Sequence, residues 1–541
     1  MSPRTSTNGQ RPSSPTILHS TDATRALLRG SKLMTRALCS TLGPHGSTVL
    51  STPLGGGGGP EVISRAGILA RRLIEVEDPF ENMGALLIRH AACRVDRETG
   101  DGVATTAAVL DALLSVTGRL VMAGHSAKAV AATLVTASEA VLRGLESLRM
   151  DVDETTAAHA LVAELLTEKG LATAVCDVVE AVGEDGFVDI RQSRRNEVEI
   201  ELVEGTRWPG TVQFGATEAG TEVTEIADGR VLVCSDPLDS AAELLPLVQA
   251  LMEQGLSKLV VIAPAVGPEV RSLVGANAGC SSFPCIIAVS LHVNAESDEL
   301  LEDLAAYCGT RVVSRVAGET LSVVRLSDLG AVRRAWFSND ELGLVAAGAP
   351  DMSRDRSRLL RAQLALCTDD ARSAALGERI ARLDGRTAVL AIPGLLGAQR
   401  EELMSRVHAA VRVAQVVLRD GVTAGGGAAL VQAAARAERA GELSDPVGKA
   451  LLSAVAEPLR RIASSAGLEP STVVERTRTA VPGTRLDVKR GCWLGAEDVD
   501  RLLDSVAVLR CALEVAVSTA STMLTAATLV RSPKPQMSLE P

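Results

Sequence analysis

Two short glycine-turned segments carry the residues of this chain best suited to chemistry. The first reads Thr41-Leu42-Gly43-Pro44-His45-Gly46, and the second Gly100-Asp101-Gly102 followed by Val103, Ala104, Thr105 and Thr106. Glycine turns bring backbone N–H groups close to an oxyanion, and a helix starting just beyond adds the positive end of its dipole. Asp101 supplies one hard carboxylate, the donor type that suits a magnesium ion held against phosphates. A third run, Ala424-Gly425-Gly426-Gly427-Ala428, lies between two expected helices, where it reads equally as a close helix–helix contact. Each run taken singly is also compatible with a plain turn. Binding a nucleotide and hydrolysing one need different residues, so further carboxylates beside Asp101 would decide the chemistry. The sequence has no Gly-x-x-x-x-Gly-Lys-Ser/Thr loop, no His-Glu-x-x-His helix and no Gly-x-Ser-x-Gly elbow.

The elements that must position these loops follow from pattern. At 541 residues the chain exceeds one hydrophobic core, so about three domains are expected. Aromatics make up only 2%, so the cores must be built from Ala, Val and Leu, largely in helices. Long helices are expected over residues 22–148, with short strands at 48–51 and 61–63 around a five-glycine turn, then strands at 186–190 and 198–203. From about Gly205 strands and helices alternate: strands 230–234, 258–263, 285–290 and 310–313, helices 241–254, 269–276 and 298–307. That rhythm implies an α/β domain with a parallel sheet. Helices follow over 353–383, a strand over 388–392, a helix up to Gly421, and Ala/Val/Leu helices beyond. The economical arrangement is nested, with a helical domain made of both ends and an α/β domain inserted through two connectors.

The net charge of −11 argues against a nucleic-acid surface. Ten cysteines are scattered without a paired framework, so reduced thiols are expected. The first twenty residues, rich in Ser, Pro and Thr, read as a disordered arm and not a signal peptide, and no apolar run approaches a membrane span. A cytoplasmic protein with no membrane or nucleic-acid partner is expected.

Three longer segments carry a resemblance. Ile74-Glu75-Val76-Glu77-Asp78-Pro79-Phe80-Glu81-Asn82-Met83-Gly84-Ala85, then Gly421 to Leu430, then Ala456 to Val473 are similar, in order, to the group I chaperonins. The likeness runs from about Thr21 to Val530. It implies a multidomain α/β chaperonin fold, with a mainly helical equatorial domain (21–148 and 421–530), a small α+β intermediate domain (149–203 and 387–420) and an α/β apical domain (204–386), between an arm (1–20) and a tail (531–541). It also implies ATP and Mg2+ as ligands, a homo-oligomeric ring, non-native proteins as clients and a co-chaperonin as a candidate partner. Carried over by position, Thr41, Leu42, Gly43 and Pro44 wrap the phosphates and Asp101 reaches the magnesium ion. Gly102 and the residues after it run along the phosphate tail. Gly425 and Gly426 lie by the sugar, and Asp504 hydrogen-bonds it. An extra residue in Gly-Asp-Gly-Val-Ala-Thr-Thr leaves open whether Val103 and Ala104 or Thr105 and Thr106 face the phosphates.

Two departures bear on hydrolysis. The family's Lys-Asp-Gly corresponds to Arg65-Ala66-Gly67, keeping a cation in Arg65 but losing a carboxylate at Ala66. The second catalytic Asp of the family falls, on a gap-free count back from Gly421, at Ala409. Turnover is therefore expected to be slow unless another acid, such as Glu98, compensates. The alternatives are a fully ATP-driven folding machine and a non-hydrolysing scaffold subunit that assembles with an active paralogue. On the client side the groove positions of the family correspond to Leu245, Val248, Val270, Leu273 and Val274, with Gly275 in place of a bulky residue. These positions read equally as core.

Overall fold

The computed structural model describes residues 16–531, except 52–60, 74, 169, 185, 194–196, 215–223, 257, 278–284, 292–296, 316–317, 319–320, 322–323, 339–340, 349–350, 368–369, 394–397 and 500. The five-glycine turn and the 532–541 tail lie outside the described residues, as do positions 1–15 of the expected arm.

Two compact units emerge. One is formed by the chain up to Glu180, Gln192–Val198 and the chain from Ile392 on; the other by Ala181–Arg191 and Glu199–Ala391. The first is helical. Its leading elements are α1 (Ser20–Cys39), α2 (Ala66–Arg72), α3 (Pro79–Thr99), α4 (Val103–Met122), α5 (Ala127–Glu146) and α6 (Glu154–Leu165). Local chemistry sets their ends. Asp78 caps α3 by accepting the Phe80 and Glu81 amides at 2.8 and 3.0 Å, Pro79 starts the helix without needing its own N–H, and left-handed Gly100 stops it. Ser126 and Asp153 cap α5 and α6 in the same way.

The core of this unit packs α1, α3, α4 and α5 with the late helices Ala428–Arg439, Pro446–Val455 and Val506–Thr525. Helices α4 and Val506–Thr525 are long and apolar enough to cross a membrane, contrary to the expectation from sequence. Half of one and two thirds of the other are buried, which accounts for their composition as core. The sequence was also too sparing with order at the start: Thr16–His19 forms a strand antiparallel to Thr528–Arg531. The hairpin of Val49–Ser51 with Glu61–Ile63 is present as expected.

Among the described residues the larger sheet of the second unit has seven strands in the order Val312–Val313, Thr224–Cys234, Gly330–Ser338, Glu341–Ala346, Thr206–Phe214, Cys285–Leu291, Lys258–Ala263, with the last also pairing Thr224–Cys234. Only the pairings among 224–234, 258–263, 285–291 and 312–313 are parallel. The expected parallel sheet is therefore mixed. The antiparallel strands 206–214, 330–338 and 341–346 close it, because a short hairpin needs no helical crossover and leaves no βαβ rhythm to read.

Candidate functional site

A cavity of about 610 Å3 opens in the first unit, a volume suited to a small-molecule ligand. Both glycine-turned loops border it. Thr41 to Pro44 leave the end of α1, with the Thr41 hydroxyl donating to the Leu38 carbonyl at 2.8 Å and the Ser47 amide to the Ser40 carbonyl at 2.7 Å. The loop is thus tied to the helix it leaves.

The second loop is built by two left-handed glycines, Gly100 at φ 74° and Gly102 at φ 87°, with Asp101 exposed between them. A side chain at either position would be strained. At Gly100 a Cβ would also stand 2.4 Å from the Ala409 carbonyl oxygen. Gly102 is the N-cap of α4, and Thr106 is the first amide bonded within the helix, to the Gly102 carbonyl at 2.8 Å. The amides of Val103, Ala104 and Thr105 lead the helix, where such groups lack intrahelical acceptors and favour an anion.

That start bears on the register left open by the sequence. Val103, Ala104 and Thr105 line the cavity. Thr106 does not: it is buried and its hydroxyl donates back to the Gly102 carbonyl at 2.9 Å, the usual i−4 bond of a helical threonine.

At the end nearer α2 lie Ser64, Arg65, Ala66, Gly67 and Asp96. The Arg65 guanidinium donates from Nη2 to the Gly100 carbonyl at 2.7 Å and to Asp96 Oδ1 at 3.3 Å, and from Nη1 to the Ser405 carbonyl at 3.2 Å. Asp96 also pairs with Arg71. A Cβ on Gly67 would stand 2.2 Å from Asp96 Oδ1, so glycine there is what lets this carboxylate reach the wall. The acid at this end is Asp96. Glu98 points elsewhere, bonding Arg94 at 2.8 Å and accepting the Cys511 thiol at 3.3 Å. Ala66 lines the cavity, while Ala409 stands on the helix Ala398–Asp420 with its carbonyl against Gly100.

At the opposite end Gly426, Gly427 and Asp504 border the cavity. Gly425 does not: it is buried, its amide bonded to the Leu502 carbonyl at 2.9 Å, and a Cβ there would meet that oxygen at 2.6 Å. Its role is the turn, and Gly427, which sequence reasoning passed over, takes its place by giving its amide to Asp504. Asp504 lies in the strand Leu503–Ser505, opposite Thr423 of Val422–Ala424. Glu164 of α6, Leu486 to Arg490, Arg501 and Leu502 complete this end, none of them marked by any local sequence pattern.

Asp504 is half-buried at the cavity wall. Its pKa is pushed up to about 8, by burial first and then by the negative charges of Asp101 and Glu164, with the Gly427 amide opposing. Burial foremost, then Asp101 and Asp487, also raises Glu164, while Lys489 pulls it down. The folded pKa of Asp504 exceeds the unfolded value of about 3.9, so its contribution to stability falls as pH rises from about 4 to about 8 and is flat above. Over that window, without divalent cation, the protein should lose melting temperature relative to Asp504→Asn, and added Mg2+ should narrow the gap. Parallel melting curves for the two proteins across pH would contradict this.

The client positions lie in the second unit. Leu245, on the helix Leu245–Glu253, is exposed, as is Met252 one heptad on. Val248 and Val270 are corrected by the structure: both are buried, packed with Leu259 and Val261 beneath the sheet, because these helices turn their apolar faces inward. The side chains of Leu273 and Val274 lie outside the described residues.

Residues 34–534 match the model of the TCP-1/cpn60 chaperonin family. The chain belongs to that family. Its architecture agrees: among solved structures, the chaperonin gp146 from the bacteriophage EL 2 (Pseudomonas aeruginosa) aligns with a TM-score of 0.69 at 18% identity, over 95% of this chain and 98% of that one. A second crystal form of gp146 aligns at 0.58 and 20% identity over the same shares. Both were crystallised in the presence of ATP-BeFx. This chaperonin therefore has the multidomain α/β fold, and its cavity lies where both chain halves of the helical unit meet.

Proposed function

We propose that this chaperonin binds ATP with Mg2+ in the cavity of its helical unit, assists non-native proteins as a ring-forming cytoplasmic chaperone, and hydrolyses the nucleotide slowly. The observation that carries this reading is the convergence of Thr41–Pro44 and Asp101–Thr105 on one cavity, with Asp504 at its far end. Backbone amides at the start of α4 would grip phosphate oxygens, and the Asp504 carboxyl would meet a sugar hydroxyl. Among the described residues no group of three or more His, Cys, Asp or Glu could hold a metal ion on its own. One exposed carboxylate beside a phosphate grip suits magnesium, which keeps its waters and shares substrate phosphates. Bound there, the ion would neutralise phosphate charge, with Asp101 holding it.

Slow hydrolysis is supported by Ala66 on the cavity wall, where the family resemblance places an acid, and by Asp96 being held by two arginines. The test is titration with a fluorescent ATP analogue and Mg2+, together with phosphate release. Asp101→Ala should weaken Mg2+-dependent binding at least as much as the loss of an outer-shell ligand partner does, about 10- to 100-fold. Binding unchanged by that substitution would remove Asp101 from the role. Tight binding with no phosphate release would favour the scaffold subunit, and co-purification with an active paralogue would identify its setting.

A further inference from the structure

The helix Ala398–Asp420 packs against residues that line the cavity. Glu402, Ser405 and Ala409 are three and four residues apart and so share one face. All three meet residues at or beside the cavity end nearer α2. The Ser64 hydroxyl donates to Glu402 Oε1 at 3.2 Å, Arg65 Nη1 donates to the Ser405 carbonyl at 3.2 Å, and the Ala409 carbonyl crowds Gly100. On another side of the helix, Arg406 bonds the Leu165 carbonyl at the end of α6 and pairs with Glu168 at 2.8 Å. The helix is thus fastened beside the cavity along two lines, and in the first Arg65 is the cation and Glu402 the carboxylate.

We propose that Asp96 is a positioning residue for closure of this helix, acting through Arg65; the inference rests on the nucleotide reading of the cavity. A guanidinium presents its donors in a planar fork, so a carboxylate on one edge fixes where the other edge points. Asp96 supplies that carboxylate. Its side chain is 5% exposed and that of Arg65 15%, so the pair is shielded from the screening that weakens surface ion pairs. With the plane fixed, one arginine reaches the loop at Gly100 and the closing helix at Ser405 together. Two carbonyls alone would order a long side chain with many rotamers poorly. Arg71 completes the arrangement: two guanidinia on one carboxylate leave a net positive charge on the wall where a phosphate would lie. With alanine at 66 and 409, the loop and the helix are joined by this arginine and not by acids facing a shared ion.

Hydrogen exchange of the full-length protein, with and without ATP and Mg2+, tests the proposal. Asp96→Asn and Arg65→Gln should each speed exchange of amides 402–412 by about tenfold, the effect of losing one charge-assisted hydrogen bond, and leave Val506–Thr525 unchanged. Release of a fluorescent ATP analogue should quicken by a similar factor. Exchange at 402–412 equal to wild type in both variants would overturn the proposal, as would a rise spread evenly over the unit, which would mean a merely structural role. If Asp96→Asn fails to fold, Arg65→Gln keeps the Asp96–Arg71 pair and serves alone. Faster exchange at 402–412 in the variants of a protein that binds no ATP would count against the nucleotide reading and not against the closure.

Discussion

Ala66→Asp combined with Ala409→Asp is expected to raise phosphate release by about 100-fold or more, the lower range of what a positioned general base contributes. Ala66 is the first residue of α2 and lines the cavity next to Arg65. An acid there would join a wall that already carries Arg65, whose carboxylate partner Asp96 is shared with Arg71, so its charge has compensation nearby. Ala409 stands where the closing helix touches Gly100, so an acid on that turn lies near the loop that carries Asp101. Phosphoryl transfer depends on positioning and charge more than on covalent chemistry, so a pocket that grips phosphates as proposed would need little else. The same two positions changed to Asn should give no gain, since an amide can orient water but cannot take its proton. A wild-type rate equal to that of the double Asp variant would refute slow hydrolysis. Both alanines are largely buried, at 8% and 6% exposure, so melting temperatures must accompany the rates.

Arg485→Met is expected to cost at least about 1–3 kcal/mol of local stability, the cost of leaving an acceptor without its donor, and to disorder the Asp504 end of the cavity. Arg485 is fully buried in the short strand Arg485–Asp487. It donates to the Gly483 carbonyl at 2.8 Å, the Arg501 carbonyl at 2.9 Å, the Gly495 carbonyl at 3.1 Å and the Asp498 carbonyl. One side chain therefore gathers a loop from 483 to 501 that has few strands of its own. Methionine fills similar volume but leaves those four part-buried carbonyls without their donor, which is the expensive half of losing a hydrogen bond. Since Leu486 to Arg490 and Arg501 to Asp504 all hang on this loop, nucleotide affinity should fall with stability. Arg485→Lys keeps the charge but not the planar fork, and should fall between. If Arg485→Met melts and binds like wild type, the loop is held by something other than this arginine.

The loops were readable in sequence because glycine turns and helix starts are local. Ala66 could also be placed beside these loops from sequence, and it lines the cavity. Asp96 was not readable, because its relation to Arg65 exists only after α3 folds back along α2, and nothing in its neighbourhood of the chain distinguishes it from a surface aspartate. Thr106 was misplaced because one residue of helix register decides whether a threonine faces solvent or its own preceding turn. Val248 and Val270 failed for a related reason: an apolar stripe on a helix looks the same whether it meets a sheet or a client. The mixed sheet escaped since hairpin strands such as Gly330–Ser338 and Glu341–Ala346 interrupt the βαβ alternation that sequence reading relies on.

The pairing of Thr16–His19 with Thr528–Arg531, and the burial of Val506–Thr525 among α3, α4 and α5, bear on how the chain is made. Synthesis runs from the amino end, and domains tend to fold as units as they emerge. The inserted unit has all its strands by Ala391 and can close while the ribosome is still translating. The helical unit cannot, because a central helix of its core is among the last segments to appear. Its early helices must wait, with their apolar faces uncovered, for more than half the chain to be added, so a chaperone of this design itself passes through a long interval as an aggregation-prone nascent chain.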